Sequence, residues 1–568
     1  MRSSGINQVR PRNKYELMID LRRFGEPRLR GKYLFLSRIK SGRLRDLVDY
    51  LHWRLGGYYS TSIGVDERPL DGYFHVYHVF VLEEYGVYVL VDLIADPGHP
   101  VVESITPVVP AANWAEREIM DFIGVKFRGH PEPHRLILPD DWPENVYPLR
   151  KDYPYDDKLP TSDKIAKLVR ESSPATWEPE AHGDHTVIPV GPYHPALHEP
   201  EYFELFVEGE KIVDARYKGF MVHRGIEKIA ESRLSYNQVS FIAERICGIC
   251  GFTHSTAYCQ AVEEAAGIDV PERAEYIRSI LLEIERIHSH FLWMGVAFHL
   301  LGYDTGFMIM WRLRESIMDL AEELTGSRKM YGANIVGGIR DKWDIRDDKA
   351  ALIKRMLDEI REEYLKYIPK IISLEEIKKR TRGVGVLSRS DARKYSVLGP
   401  HARASGIKTD VRKYRPYAAY KYVNVEIPVL DDGDIYARMI VRHEEILASI
   451  DLIHRLLDNI PKTPLHADTS YIPERRHGIG CTEAPRGEDL HFVITGRDNK
   501  LYRWRPRAPT YNNLLSVPAM LREEYLADAP IIIASIDPCF SCTDHVVVVD
   551  LRSGRRRPLR TRGVVGGR

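Results

Sequence analysis

Hydrophobic positions recur at helical spacing in the second half of the chain. Within residues 273–299, one helix face is formed by Ile277, Ile280, Leu281, Ile284, Ile287 and Phe291. Similar stripes run through three further segments, at residues 311–324, 352–368 and 439–460. Several helices of this length predict a bundle with its functional site between the helices. Short strands are predicted at residues 204–213 and 490–495.

The first 160 residues follow a different pattern. A helix predicted over residues 44–55 precedes aromatic-rich segments of alternating polarity, which predict strands at 73–82, 87–93 and 101–109. A second helix is predicted at 113–122. This mixture predicts a multidomain chain: an α+β domain with an antiparallel sheet, then a mostly α-helical domain with small β elements.

The expected domain bounds follow from changes in composition. Residues 1–160 form the first domain, and the proline- and charge-rich residues 161–185 form a linker. Residues 186–545 form the second domain. Residues 546–568 form an arginine- and glycine-rich extension that has too little apolar surface for a core of its own.

Composition and charge narrow the classes of function. At 568 residues the chain exceeds one ordinary core. Lys plus Arg equals Asp plus Glu at 81 each, so the bulk charge does not indicate nucleic-acid binding. No apolar run approaches the roughly twenty residues of a membrane helix, and the N-terminus lacks a signal-peptide pattern. We expect a cytoplasmic protein that contacts a membrane only through partners.

Two Cys-x-x-Cys pairs carry the most specific chemistry. Cys247 and Cys250 lie mid-chain, whereas Cys539 and Cys542 lie near the end. Thiolates at this spacing can bind one soft metal from both sides once the fold brings the pairs together. A zinc ribbon places its pairs within about twenty residues of each other, so we expect a centre between distant segments. From spacing alone, a structural zinc site or four unrelated core thiols stay open.

The residues around the cysteines form longer motifs that are more specific than the cysteine spacing. Arg-x-Cys-Gly-x-Cys at 245–250 and Asp-Pro-Cys-x-x-Cys-x-x-His at 537–545 resemble the large subunit of nickel–iron hydrogenases. Residues 116–125, 129–131, 138–142 and 148–154 resemble the 30-kDa subunit of respiratory complex I. That subunit is fused to the catalytic subunit in group 4, formate-hydrogenlyase-type hydrogenases.

A likeness to the 49-kDa subunit of complex I extends over nearly the whole second domain. It rests on residues 337–338, 403–408, 503–509 and 535–538. In those relatives the cysteines are absent and the cavity is used for quinone. The alternative function is therefore a quinone-site or scaffold subunit of a complex I-like NADH:quinone oxidoreductase without a metal centre.

The hydrogenase resemblance implies roles for individual residues. All four cysteines would hold nickel, with Cys250 and Cys542 also bridging to an iron that carries diatomic ligands. His254 would hydrogen-bond a bridging sulfur; without the resemblance it reads as a surface or cap histidine. Arg486 would project over the metals with Asp537 as its partner; otherwise it is a surface charge.

Proton and electron routes are also implied. Glu199, in a segment at 191–201 that resembles the entry motif of membrane-bound hydrogenases, would be the proton gate, and Glu201 is expected to be a solvated loop acid. Cys259 and Cys481 are too few for a four-thiolate cluster. Electrons are therefore expected from a [4Fe–4S] cluster on a partner subunit, which His223 and Arg224 would face.

The implied complex is a membrane-associated, energy-converting hydrogenase on the inner face of the cell membrane. Its reaction would be the reversible conversion of two protons and two electrons to H2. The expected partners are an iron–sulfur small subunit, ferredoxin-like and antiporter-like membrane subunits, and a maturation endopeptidase that removes residues 546–568. His545 stands where many membrane-bound relatives have arginine, and it would contact an additional magnesium or iron ion.

Overall fold

The computed structural model of the chain describes residues 10–138, 142–153, 185–191, 199–220 and 223–542. Within residues 10–138, the first region, three α-helices lie at Lys14–Leu21 (α1), Leu44–Asp49 (α2) and Asn113–Phe122 (α3). Its strands are Glu26–Arg30 (β1), Tyr33–Ser37 (β2), Tyr58–Asp66 (β3), Phe74–Leu82 (β4), Val87–Ala95 (β5), Val101–Glu103 (β6) and Lys126–Arg128 (β7).

A five-stranded sheet in the order β1-β2-β5-β4-β3 organises this region. Three of its pairings are antiparallel, but β2 and β5 are parallel, which corrects the antiparallel prediction. The parallel pair arises because the chain passes through α2 and the β3–β4 hairpin before it returns beside β2. The strand predicted at 101–109 ends at Glu103, ahead of Pro107 and Pro110, which cannot donate to a ladder.

The predicted helix at 44–55 divides into two parts. An α-helix covers Leu44–Asp49, and a π-helical turn continues it over Tyr50–Arg54. The prediction for α3 agrees with the structure at both ends.

The second region begins with a three-stranded antiparallel sheet of Thr186–Val190 (β8), Tyr202–Glu208 (β9) and Lys211–Lys218 (β10). The strand predicted at 204–213 is therefore wrong as a single element. Gly209, at φ +63°, turns the chain there and divides the segment into a hairpin.

Helices dominate the rest of the chain. They are Ile226–Arg233 (α4), Tyr236–Glu244 (α5), Gly251–Ala266 (α6), Glu272–Leu300 (α7), Asp304–Thr325 (α8), Asp347–Ile372 (α9), Glu375–Thr381 (α10), Arg389–Lys394 (α11), Gly399–Arg403 (α12), Val411–Tyr414 (α13), Ile435–Asp458 (α14), Pro509–Asn513 (α15), Val517–Leu521 (α16) and Ala529–Ser535 (α17). The four predicted stripes lie in α7, α8, α9 and α14. Pro271 is the N-cap of α7, one position earlier than a first-turn proline.

Five further strands complete the fold: Asn334–Ile335 (β11), Gly338–Ile339 (β12), His477–Ala484 (β13), Gly487–Thr495 (β14) and Leu501–Arg507 (β15). The sheet β13-β14-β15 lies between the first region and α6. Gly478 and Gly480 let α6 approach closely, because a Cβ at either would lie about 2 Å from a carbonyl oxygen of that helix. The strand predicted at 490–495 lies within β14.

The other face of this sheet closes a core that both regions share. Ile479 and Phe492 pack with Val79 and Leu90 of the first sheet. No helix in the described ranges is long and apolar enough to cross a membrane. The proposed linker, apart from His185, and residues 546–568 lie outside the described residues, so the domain bounds stay predictions.

Candidate metal centre

Both cysteines of the first pair and Cys539 of the second meet at one buried point. Cys247 and Cys250 lie in the turn between α5 and α6, and Cys539 follows α17. The Cys247 sulfur lies 2.9 Å from that of Cys250 and 3.3 Å from that of Cys539. All three are almost fully buried. Of Cys542 only the backbone is described, in the turn Phe540–Cys542, so its predicted role as the fourth ligand is outside the described side chains, as is His545.

Hydrogen bonds fasten the first pair. The sulfur of Cys247 accepts from the amides of Ile249 and Cys250, at 3.2 and 3.1 Å. Glu285 of α7 accepts from the amides of Phe252 and Thr253 at the start of α6, at 2.8 and 2.9 Å, and so supplies the cap that this helix lacks locally. Burial raises the pKa of Glu285 to about 7.

Arg486 lies in the two-residue turn of the β13–β14 hairpin and is buried beside the thiols. Its guanidinium donates from Nε to the backbone oxygen of Asp537 at 2.7 Å, and from Nη2 to Oδ1 of that residue at 2.9 Å. Nη1 donates to Ser289 Oγ at 3.2 Å. Burial acts to lower the pKa of Arg486, but Asp537 and the three thiolates outweigh it and raise that pKa well above its usual value.

Asp537 has a left-handed backbone, at φ +57°, immediately before Pro538. A non-glycine residue rarely adopts this conformation. The strain is local to the second cysteine pair, where Asp537 pairs with Arg486 and the Cys539 amide donates to Thr510 Oγ1 at 3.3 Å.

His254 lies one turn along α6 from Cys250 and is buried. Its Nδ1 lies 3.0 Å from Asp489 Oδ2 and 3.1 Å from His491 Nε2. Burial acts to lower the pKa of His254, but the carboxylate of Asp489 outweighs it and the net shift is upward. Its Nε2 is buried without a hydrogen-bond partner among the described atoms.

Glu199 and Glu201 occupy different surroundings. The Glu199 carboxylate accepts from the Ser541 amide at 2.8 Å and from the Ser541 hydroxyl, between the two cysteines of the second pair. Burial and the charge of Cys539 raise the pKa of Glu199. Glu201 was expected to be solvated and is instead fully buried, because Tyr217 of β10 covers it and donates to its carboxylate.

Arg224 connects the two cysteine segments. It donates to the carbonyls of Arg245 and Ile246 at 2.7 and 2.9 Å and to that of Ser541 at 2.8 Å. His223 stacks on Phe122 of α3 at 5.0 Å between ring centroids. The other two cysteines, Cys259 and Cys481, are separately buried in packed clusters.

The arrangement fits a soft metal. A metal–sulfur bond of about 2.3 Å places two sulfur ligands of one ion about 3.3 to 3.8 Å apart. The separation of Cys247 and Cys539 falls in this range, and that of Cys247 and Cys250 is slightly shorter. Thiolates are the ligands that soft, redox-active metals prefer.

Several residues of this site were not predicted from the sequence. Ser541, Asp489 and His491 contact predicted site residues. Glu285 caps the start of the helix that carries His254. A signal exists for two of them, since Asp489 and His491 alternate on one strand directly after the Arg486 motif and so point to one face. The others are visible only once α7 and the terminal segment are packed.

Three known family models match different parts of the chain. The nickel-dependent hydrogenase family model matches residues 224–305, which contain the first cysteine pair. The 49-kDa subunit model of the respiratory-chain NADH dehydrogenase matches residues 301–479 and 472–545. The 30-kDa subunit model of the same enzyme matches residues 37–159.

Comparison with whole proteins gives a match that covers more of the chain than any single family model does. Formate hydrogenlyase subunit 5 of Escherichia coli K12 is 43% identical over 91% of this chain and 90% of its own length. The chain belongs to the formate-hydrogenlyase type of nickel–iron hydrogenase large subunits. It is a hydrogenase, an oxidoreductase, with an N-terminal part related to the 30-kDa subunit of complex I.

Two further proteins match over most of their own length. Hydrogenase-4 component G of the same organism is 43% identical, over 90% of this hydrogenase chain and 88% of the relative. A chain of the archaeal membrane-bound sulfane sulfur reductase is similar in structure, with a TM-score of 0.60 and 30% identity. That similarity covers 64% of this chain and 99% of the other.

Proposed function

We propose that this chain is the catalytic subunit of an energy-converting, membrane-associated hydrogenase that interconverts two protons and two electrons with H2. Cys247, Cys250, Cys539 and Cys542 would hold nickel, with Cys250 and Cys542 shared with iron. Such a centre supplies the reversible two-electron chemistry. The observation that carries the proposal is the packing of three buried cysteine sulfurs from distant segments beside one buried guanidinium.

Arg486 and Asp537 form the polar wall of this site. The guanidinium is held by three hydrogen bonds, so its charge points in a fixed direction in a dry environment. A fixed positive charge can polarise bound H2 and orient the neighbouring carboxylate without reorganisation during the reaction. Asp537 keeps the guanidinium in place and balances its charge.

Glu199 is the proposed proton gate. Its carboxylate touches the loop between Cys539 and Cys542, and its raised pKa means that the neutral, proton-carrying form is accessible. A proton leaving the thiol side would have this carboxylate as an acceptor beside the loop. We do not assign this role to Glu201, because its carboxylate is bound by Tyr217 of β10.

An electron-transfer partner is proposed because the two cysteines outside the pairs are too few for a four-thiolate iron–sulfur cluster on this chain. Electrons would arrive from an iron–sulfur small subunit across the surface around His223 and Arg224, where Arg224 already contacts both cysteine segments. We also propose ferredoxin-like and antiporter-like membrane subunits and a location on the inner face of the membrane. A maturation endopeptidase would remove residues 546–568, and His545 would contact a further magnesium or iron ion.

Metal analysis tests the proposal. The full chain is produced with its maturation proteins, and nickel, iron and zinc are counted per chain while the intact mass reports on the tail. We expect nickel and iron in equal amounts and H2 evolution from a reduced dye. Cys539→Ser and Cys542→Ser should each lose nickel and activity, because serine is a poor ligand for a soft metal.

Cys481→Ser is the matched control. This thiol is equally buried and free but lies on β13, outside the cysteine cluster. It should retain nickel and activity. Zinc alone in the unsubstituted protein would contradict the proposal and favour a structural zinc site. Metal content that is unchanged in Cys539→Ser would also contradict it, and protein without any metal would favour the quinone-site alternative.

A further inference from the structure

Two glutamates lie opposite each other beside the turn of the β13–β14 hairpin. Glu483 and Glu488 are cross-strand partners, and the next pair, Ala484 and Gly487, closes the turn that contains Arg486. Residues directly opposite each other in a sheet point to the same face. Both glutamates are buried. Neither has a role in the proposed function.

The described partners of Glu483 belong to the second region. Arg403 at the end of α12 donates to its Oε1 at 2.8 Å, and the amide of Val411 at the start of α13 donates to its Oε2 at 3.0 Å. Arg286 of α7 donates to the backbone oxygens of Glu483 and Ala484, at 2.6 and 3.3 Å. The strand that enters the turn is therefore fixed to the helices of this region.

Glu488 is held from the first region as well. The hydroxyls of Tyr58 and Ser60, both on β3, donate to its Oε2 and Oε1, at 2.5 and 2.8 Å. Arg415, which follows α13, and Arg507 of β15 also donate to this carboxylate. Burial acts to raise the pKa of Glu488, but the two guanidiniums outweigh it and lower that pKa to about 2. The carboxylate is therefore ionised and accepts hydrogen bonds from both regions.

The four donors to Glu488 are also linked to one another across the boundary between the two regions. Arg415 donates to the Tyr58 hydroxyl, and Arg507 donates to the Ser60 hydroxyl at 2.7 Å. Ser60 is fully buried, and Arg507 is nearly so. Because water does not reach these groups, the loss of a hydroxyl leaves charged groups short of a partner.

We infer that Glu488 is a positioning residue for Arg486. Tyr58 and Ser60 of the first region act through its carboxylate. Glu488 lies two residues after Arg486, near the start of β14, so its hydrogen bonds fix the strand that leaves the turn. The Arg486 guanidinium is thereby kept in line with Asp537 and the cysteine sulfurs. A displacement of a reacting group by about 1 Å can cost about 100-fold in rate, so the fixation of this strand matters for turnover.

Tyr58→Phe combined with Ser60→Ala is the test, and Tyr59→Phe combined with Ser62→Ala is the matched control. The control removes the same chemical groups from the same strand. Its two hydroxyls bond each other at 2.6 Å, and that of Ser62 also contacts His78 within the first region. Both proteins keep the two arginine partners of the glutamate carboxylate, so we expect both to fold.

Hydrogen–deuterium exchange of the full-length, metal-free chain measures how firmly the hairpin is held. We expect the backbone amides of residues 481–491 to exchange at least about tenfold faster in the test protein, because two hydrogen bonds to a buried carboxylate are lost. The control should match the unsubstituted chain over the same residues. Equal exchange in all three proteins would overturn the inference.

Turnover distinguishes a positioning role from a contribution to stability alone, and this part of the inference rests on the proposed function. In protein produced with nickel and the maturation proteins, kcat for H2 evolution per bound nickel should fall at least about tenfold in the test protein, with KM for the reduced dye unchanged. The control should keep its kcat. A contribution to stability alone would lower the yield of loaded protein and leave kcat per nickel unchanged, and that result would also overturn the inference.

Two further outcomes are defined. If the doubly substituted test protein is not recovered, Tyr58→Phe alone is compared with Tyr59→Phe alone; the hairpin should then exchange a few-fold faster only in Tyr58→Phe, and equal exchange would overturn the inference. Unsubstituted protein that binds no nickel contradicts the proposed function alone, provided that the hairpin still exchanges faster in the test protein than in the control.

Discussion

Glu199 combines a structural contact with a proposed chemical role. Its carboxylate accepts two hydrogen bonds from Ser541, so it fastens the second cysteine segment, and its pKa is raised by burial and by Cys539. The two roles can be separated because glutamine keeps the shape and one acceptor oxygen but cannot carry the exchangeable proton. The substitution Glu199→Gln therefore tests the chemical role separately from the structural one.

Glu199→Gln should retain nickel and lose turnover. Loss of a positioned acid–base group typically lowers rates by about 10²- to 10⁴-fold. Metal content per chain and H2 evolution, measured on the same preparation, check this result. Glu201→Gln is the control at a buried carboxylate two residues away. Near-normal H2 evolution in Glu199→Gln, with Glu201→Gln impaired instead, would move the gate to Glu201.

At the scale of elements, the start of α12 supports the turn that carries Arg486. Gly399 is the first residue of α12 and has φ +66°. A Cβ built there would lie 2.4 Å from the backbone oxygen of Arg486 and 2.5 Å from the amide nitrogen of Gly487. Two pieces of backbone therefore touch at this point, and only glycine permits the contact.

Gly399→Ala should displace Arg486, whereas Gly383→Ala should not. Gly383 has nearly the same φ, +69°, but open space around its Cβ position. Both variants lose about 1 to 2 kcal/mol from left-handed backbone strain. Gly399→Ala should lose more, and its H2 evolution should fall at least about tenfold. Thermal unfolding and activity measure both, and equal behaviour of the two variants would contradict the role assigned to Gly399.

At the scale of the whole molecule, buried ion pairs join the N-terminal region to the catalytic region. Arg505 of β15 lies 2.6 Å from Glu118 of α3 and 3.3 Å from Glu227 of α4. Tyr511 also donates to Glu118, at 2.9 Å. Because these charges are out of water, the removal of one partner leaves the others uncompensated.

Arg505→Gln should lower the free energy of unfolding by about 3 to 5 kcal/mol, because buried Glu118 loses its counter-charge. Glu227 keeps the charge of Arg503, 2.6 Å away. Arg38→Gln is the control, since the pair between Arg38 and Glu26 is exposed and such pairs contribute about 0 to 1 kcal/mol. Thermal or denaturant unfolding of the full chain compares the two. An Arg505→Gln variant as stable as Arg38→Gln would contradict the contribution assigned to this ion pair.

The local pattern of apolar residues was sufficient to predict elements that keep the same face buried along their whole length. The apolar stripe of α7 repeats over the whole helix, so its period alone locates it. The strand β3 was missed because nearly all of Tyr58–Asp66 is buried on both faces, and a strand without an exposed face does not alternate. The same holds for β13 and β15.

The sequence by itself determined the family and predicted which residues carry the chemistry, because the cysteine pairs and the Arg486 motif are short contiguous motifs that can be recognised without coordinates. The tertiary structure decided how these residues are held. The contacts of His254 with Asp489 and of Glu199 with Ser541 join residues more than two hundred positions apart. Their geometry depends on how α6, β14 and the terminal segment pack, because hydrogen bonds form only between groups that packing brings within about 3 Å.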